Sequence, residues 1–186
     1  HWWASPDIWV VPGEDPNGSP GTPIAGRQAF LWGRVRNTGD EAAGGARVNF
    51  YWADPSVGVL RSRASFIGFG FVDLAPGEQK DVLSLTPWLP TIVNNGHECL
   101  VAEVIHPGDP LPLPLPDAFM PTEFHQVAQR NITVVAMGQQ MLSLPVQVAA
   151  PKRAPRKADI CIEIGGKLSP AMLQQLGLEK YEAIDE

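Results

Sequence analysis

The sequence has few cysteines and no long apolar run or signal peptide. Its 186 residues include two cysteines, Cys99 and Cys161, and no Cys-x-x-Cys pair. This spacing disfavours a metal knuckle or a dithiol redox motif, whereas one long-range disulfide and two buried thiols both stay open. No apolar run approaches the ~20 residues that a membrane-spanning helix needs, so we expect no membrane insertion. There is no initiating Met or signal peptide, so we expect a processed or excerpted chain.

Positive charge is also scarce. The chain has 14 Lys and Arg residues against 20 Asp and Glu residues, which gives a net charge of −6. Binding to phosphate backbones requires a concentrated basic face, so the sequence argues against a nucleic-acid partner. Phosphate-binding loops, G-x-S-x-G elbows and H-E-x-x-H motifs are absent as well. We therefore predict a protein that is not an enzyme and uses no cofactor.

Proline and glycine are abundant, with 19 and 18 residues. Between them lie short runs in which apolar and polar residues alternate, a pattern typical of strands joined by turns. The predicted strands cover residues 7–11, 28–37, 47–52, 66–73, 80–86, 98–105, 131–135 and, at an edge, 141–148. This spacing predicts an all-β fold, an immunoglobulin-like Greek-key β-sandwich.

The alternation also predicts which side chains form the core. Phe50, Trp52 and Leu100 lie at inward positions of their strands. Gly68 and Gly70, inside a predicted strand, indicate a bulge or a close approach of another backbone. Six prolines between residues 107 and 121 predict a stiff, extended connection across one end of the sandwich. Docking of this connection into an aromatic-lined groove of a partner is the alternative.

The chain divides into three parts on composition. Residues 1–150 form the predicted sandwich, and residues 151–157 form a basic, proline-containing linker. Residues 158–186 form an extension with a strand, in which Ile160, Ile162 and Ile164 alternate with polar residues, and a short helix that contains Leu173. Too short to bury its own apolar faces, this extension is predicted to be a docking or assembly element. It would contact a protein partner or another copy of the chain, and docking on the sandwich of its own chain as an extra edge strand is the alternative.

Six segments follow one another in an order that resembles a known family. They are Trp3 with Ser5–Trp9, Arg34–Gly39, Tyr51–Ala53, Leu74–Glu78, His97–Val104 and Ala128–Ile132. Over residues 3 to 137 the sequence is similar to bacterial immunoglobulin-like modules of the CARDB type, the cell-adhesion-related domains of large secreted or surface proteins. The resemblance implies a sandwich with a structural, spacing or interaction role, no shared catalytic residues, and an extracellular or cell-surface location. The segment after Pro151 departs from that pattern.

Two alternative functions rest on the N-terminal residues. An N-terminal histidine can chelate copper through its amine and imidazole, as in polysaccharide monooxygenases, so His1 with His97 would form a copper site. Trp2 and Trp3 could stack on a sugar, which would make the chain a carbohydrate-binding module. The simpler interpretation is that these tryptophans pack on the sandwich and that His1 is only the first residue of the sequence.

Overall fold

The structure, a computed structural model, describes residues 2–136 and contains seven β-strands there. The strands are β1 (Ile8–Pro12), β2 (Ala29–Arg36), β3 (Ala43–Ala53), β4 (Ser65–Leu74), β5 (Gln79–Leu83), β6 (His97–Ile105) and β7 (Val127–Thr133). Each strand overlaps one of the seven strands that the sequence predicts for this part of the chain. The all-β prediction is therefore confirmed for the described residues.

Two antiparallel sheets share these strands. One has the order β1-β2-β5 and the other the order β4-β3-β6-β7. The chain changes sheet three times among these strands, between β2 and β3, between β4 and β5, and between β5 and β6. These crossings produce the Greek-key connectivity of an immunoglobulin-like sandwich, as predicted.

The core lies between the two sheets and follows the predicted alternation. Fully buried residues from both sheets meet there, among them Ile8, Leu31, Phe50 and Leu100. Burying side chains of this size stabilises the fold by roughly 1.5–3 kcal/mol each. Trp52, which the alternation also placed inside, packs against this core but is only half-buried.

The predicted role of the β4 glycines is confirmed. A Cβ on Gly70 would lie 2.5 Å from the Leu83 carbonyl oxygen, and one on Gly68 would lie 2.6 Å from Ser84 Oγ. The pairing of β3 with β4 also shifts register after Phe50. This strand therefore has both a bulge and a close approach of the other sheet, and only glycine fits at the two positions.

The proline-rich connection between β6 and β7 does more than cross an end of the sandwich. Its Phe119 is buried against Cys99, Val101 and Val127 on the outer face of the four-stranded sheet. The reason lies in β6, where residues of both parities are apolar, so that both faces of the strand need cover. β6 is therefore covered on both faces, whereas the second half of β2 buries one face and exposes the other.

The remaining predictions concern residues outside the described range. They include the edge strand 141–148, the linker 151–157 and the extension 158–186 with its short helix, all of which stay predictions. Among residues 2–136, no helix is long and apolar enough to cross a bilayer.

Candidate binding surface

Three connections meet at one end of the sandwich. They are the β2–β3 turn (37–42), the β4–β5 turn (75–78) and the long β6–β7 connection (106–126). The Asn37 side chain joins the first two, because its Nδ2 donates to the Glu41 carbonyl at 2.7 Å and to the Ala75 carbonyl at 3.2 Å. Loops gathered at one end of a rigid sandwich are where immunoglobulin-like domains commonly bind partners.

A buried ion pair anchors the long connection. Arg61 donates to the carbonyls of Pro116 and Ala118 at 2.6 and 2.7 Å, and it forms a salt bridge with Glu103 of β6. Its guanidinium also lies over the Phe119 ring, 4.3 Å from the centroid. The two charged side chains are only 13% and 4% exposed. The middle of the connection is therefore held on the sheet by charge, hydrogen bonds and a ring contact together.

A second set of contacts joins the two ends of the connection. The Asp109 carboxylate lies 2.8 Å from His125 Nε2 through one oxygen and accepts from Gln126 Nε2 at 2.9 Å through the other. Near its start, His106 Nδ1 accepts from the Gly108 amide at 3.1 Å. Asp109 thus fixes the base of the connection where it leaves and rejoins the four-stranded sheet.

Beside this base, a cleft of about 430 Å³ opens between the two sheets. Its floor is aliphatic and belongs to the inner faces of both sheets: Val35, Val48, Ala102, Val104 and Ala128. Its rim is polar and includes Asp7, Arg34, Arg36, Asp109 and His125. A neighbouring cavity of about 410 Å³, under the β2–β3 turn, shares several of these residues. An apolar floor with a charged rim suits an extended peptide with apolar side chains.

The cleft exists because β1 begins only at Ile8 and leaves the last residues of β2 without a neighbour on that side. The last paired residues of β1 and β2 are Ile8 and Gly33, and the last hydrogen bond runs from the Arg34 amide to the Asp7 carbonyl at 2.7 Å. Upstream of Asp7 the chain turns away and joins the other sheet, where the Ser5 amide donates to the Gln129 carbonyl at 3.0 Å. On the β1 side, the described residues place no strand beside the last part of β2, whose other side pairs with β5.

Two arginines on the outer face of β2 differ in their partners. Arg34 makes two hydrogen bonds to the Asp81 carboxylate, at 2.8 and 3.1 Å. Arg36 instead bonds the side-chain amide oxygen of Gln79, a neutral acceptor. Among the residues that the structure describes, Arg36 therefore carries a positive charge at this edge without an acidic partner, and an anionic group can bind it.

The two N-terminal tryptophans are half-exposed. Trp2 and Trp3 are 49% and 40% exposed, and their rings meet edge to face with centroids 5.3 Å apart. The backbone beneath them is fixed, since the Trp3 carbonyl accepts from the Asn131 amide of β7 at 2.8 Å. The segment is thus anchored to the four-stranded sheet while much of both rings faces solvent.

The residues of the copper hypothesis are not brought together in the described part of the chain. His1 lies outside it, and His97 is exposed at the start of β6. Among residues 2–136, no group of three or more His, Cys, Asp or Glu side chains could hold a metal ion. The copper site with His1 therefore stays a prediction, and the described residues give no distance between its ligands.

Cys99 is buried under the β6–β7 connection and has no disulfide partner among the described residues. Burial raises the pKa of this thiol to about 12. It is therefore protonated and unreactive at neutral pH. Cys161 lies outside the described residues, so the alternatives for the cysteines stay as the sequence left them.

Sequence reasoning missed the cleft and the Arg61–Glu103 pair. One signal for the pair was present, because Glu103 follows Cys99 and Val101 at the same parity in β6 and would be buried with them. A buried carboxylate needs a cation. Nothing in the sequence indicates which of the chain's arginines supplies it.

Comparisons with known proteins leave the family open. No family model and no curated protein matches the chain. Among solved structures, a CARDB domain of a Pyrococcus furiosus protein, in complex with di-metal ions, aligns with 19% identity and a TM-score of 0.43. The alignment covers 70% of this chain and 94% of that one. Red sea bream transglutaminase aligns with 16% identity and a TM-score of 0.39, over 73% of this chain and 15% of that one. Likenesses this low support no statement on function.

Proposed function

We propose that the chain is a non-catalytic structural or interaction module of the CARDB type within a larger secreted, surface or particle-forming bacterial assembly. The observation that supports this most is the end of the sandwich described above. There, the β2–β3 and β4–β5 turns are bonded to each other, the two ends of the β6–β7 connection are bonded through Asp109, and an apolar cleft opens beside them. A rigid frame that presents loops and a cleft suits recognition of another polypeptide.

In this proposal the extension 158–186 is the element that makes the contact with another copy or with a protein partner. Ile160, Ile162 and Ile164 form one apolar row at strand spacing, and Leu173 adds an apolar position on the predicted helix. An unpaired strand exposes backbone donors and acceptors that another sheet can satisfy. The extracellular or cell-surface location belongs to the same proposal, through the resemblance of the sequence.

The proposal is tested by the mass of the full chain in solution across a range of concentrations. We expect association, and we expect the substitution Ile162→Asp to weaken it. The matched control is Ile92→Asp, which changes an exposed isoleucine in the described part of the chain. A full-length chain that stays monomeric at high concentration, and that binds no partner from its parent protein, would contradict the proposal.

A second candidate, carbohydrate binding, is favoured by the exposure of Trp2 and Trp3. Solvent-exposed tryptophan rings can stack on the apolar faces of sugars. A glycan array comparing the wild-type chain with a Trp2→Ala, Trp3→Ala double variant tests it. Retention of any glycan signal by the double variant would exclude these rings as the binding site.

A further inference from the structure

We propose that residues 159–164 of one copy add as a short β-strand to the Arg34–Arg36 edge of β2 in a second copy, and that isoleucine side chains of that strand enter the cleft. This inference rests on the proposed function and names the surface that would receive the C-terminal segment. Four features of the described residues support it: the backbone of β2, the floor of the cleft, the alternation of β2 and the charge at its edge.

The backbone of β2 offers unused pairing groups at this edge. The Asp7 amide donates to Ser5 Oγ at 3.2 Å instead of returning a bond to the Arg34 carbonyl. On the other side of the strand, the Asn37 amide donates to the Glu78 carbonyl, so the odd-numbered residues face β5. Because backbone groups alternate along a strand, the Arg34 carbonyl and both backbone groups of Arg36 face the cleft. An extended peptide can pair with them.

The cleft accepts the side chains that such a peptide would turn inward. An added strand must follow the same alternation as β2, in which Val35 faces the core and the two arginines face outward. The isoleucines at 160, 162 and 164 would then lie on the side of Val35, Val104 and Ala128, the aliphatic floor. Burying an isoleucine there removes apolar surface of both chains from water.

The outward positions of the same peptide match the charge at the edge. With its isoleucines inward, residues 159–164 place Glu163 on the face that carries Arg36. Among the described residues, the side-chain hydrogen bonds of Arg36 go to the neutral amide oxygen of Gln79. Opposite charges on neighbouring strands attract each other, and this pairing also fixes the register. Both the apolar row and the acidic residue therefore fit one edge.

Cross-linking between two differently sized full-length chains tests the contact directly. In a Cys161→Ser background, an Arg36→Cys chain is mixed with an affinity-tagged Glu163→Cys chain under mild oxidation. Cys99 stays in place because its buried thiol is unreactive. The matched control is Arg63→Cys, an exposed arginine in the loop before β4. We expect at least about tenfold more disulfide-linked heterodimer with Arg36→Cys than with the control, because docking raises the local concentration of the two thiols.

Association constants of full-length variants provide a second measurement. We expect Ile162→Asp to weaken association at least about tenfold, since it places a charge in the apolar cleft. Arg36→Glu should weaken it about two- to fivefold, the range of an exposed ion pair, and Glu163→Arg in the same chain should restore it. Ile92→Asp should leave it unchanged.

The outcomes separate this inference from the proposed function. If Ile162→Asp weakens association but Arg36→Cys cross-links no better than Arg63→Cys, the β2 edge is not the receiving surface, and the proposed function stands. A chain carrying both Arg36→Cys and Glu163→Cys that forms only an intrachain disulfide would overturn pairing between copies. A full-length chain that never associates would overturn both proposals.

Discussion

The two sheets of the sandwich differ in how far their apolar faces and strand edges are covered. The four-stranded sheet is covered on its inner face by the core and, over β6, on its outer face by Phe119 and its neighbours. The three-stranded sheet loses its flanking strand at Asp7, and a cleft opens there. The long β6–β7 connection thus covers the four-stranded sheet, while the last part of β2 leaves a short edge of the three-stranded sheet open. The covered region therefore contributes to stability, and the open one is the surface to which the proposal above assigns recognition.

The largest expected effect concerns the core that the two sheets share. Phe50 lies at its centre and is fully buried. Phe50→Ala should lower the free energy of unfolding by about 3–5 kcal/mol, because it leaves a cavity between the sheets. Denaturant titration measures the change. A loss below about 1 kcal/mol would mean that the sheets do not pack as described.

The next effect tests the cover of the four-stranded sheet. Arg61→Ala leaves Glu103 buried without its cation, so we expect a loss of about 3 kcal/mol, as for other broken buried ion pairs. Arg63→Ala, an exposed arginine two residues away, is the control and should stay within about 0.5 kcal/mol of wild type. Equal losses for the two variants would show that the ion pair does not hold the connection on the sheet.

A smaller effect, of opposite sign, concerns Glu98 in β6. The side chain is 1% exposed, and its Oε1 accepts from the Val93 amide at 2.8 Å. Burial raises the pKa of this carboxyl, although the Val93 hydrogen bond opposes the shift. Since the native state then holds the proton more tightly than the unfolded state, this group lowers stability as pH rises above the ordinary glutamate value, and most at neutral pH.

Glu98→Gln should therefore raise the free energy of unfolding at pH 7, and the gain should shrink as pH falls toward 4. Thermal unfolding of the two proteins at both values measures it. Glu41→Gln, an exposed glutamate in the β2–β3 turn, is the control and should show no such gain. A variant that is less stable than wild type at pH 7 would show that the Glu98 charge is well compensated in the fold.

The smallest effect should come from the open edge. Arg36→Ala removes a side chain that is exposed and bonds a neutral amide, so stability should change by less than about 0.5 kcal/mol. The same residue is central to the proposed strand pairing. Arg36→Ala should therefore weaken association between copies while leaving the free energy of unfolding nearly unchanged. A loss of stability comparable to that of Arg61→Ala would show that Arg36 serves the fold instead.

The strands could be predicted because each has a local signature. Leu31, Gly33 and Val35 alternate with Trp32, Arg34 and Arg36, and the structure buries the first set. The outer cover could not be predicted in the same way. Phe119 is separated from Cys99 by a proline-rich segment. No pattern in the local sequence indicates on which surface such a segment packs. The cleft could not be predicted either, because it arises from where β1 begins, and that depends on the turn at Pro6–Asp7.

The close approach at Gly68 and Gly70 has a consequence for how the sandwich opens. On that side the sheets are joined, since the Leu85 amide donates to the Phe69 carbonyl at 2.8 Å. On the side of β1 and β7, Arg130 still joins the sheets by donating to the Ile8 carbonyl at 2.6 Å, but beyond Asp7 the sheets separate around the cleft. Local opening should therefore begin at the cleft and stop at β4. Amide hydrogen exchange would then be fastest at Arg36 and slowest along β3, a gradient across the width of one domain.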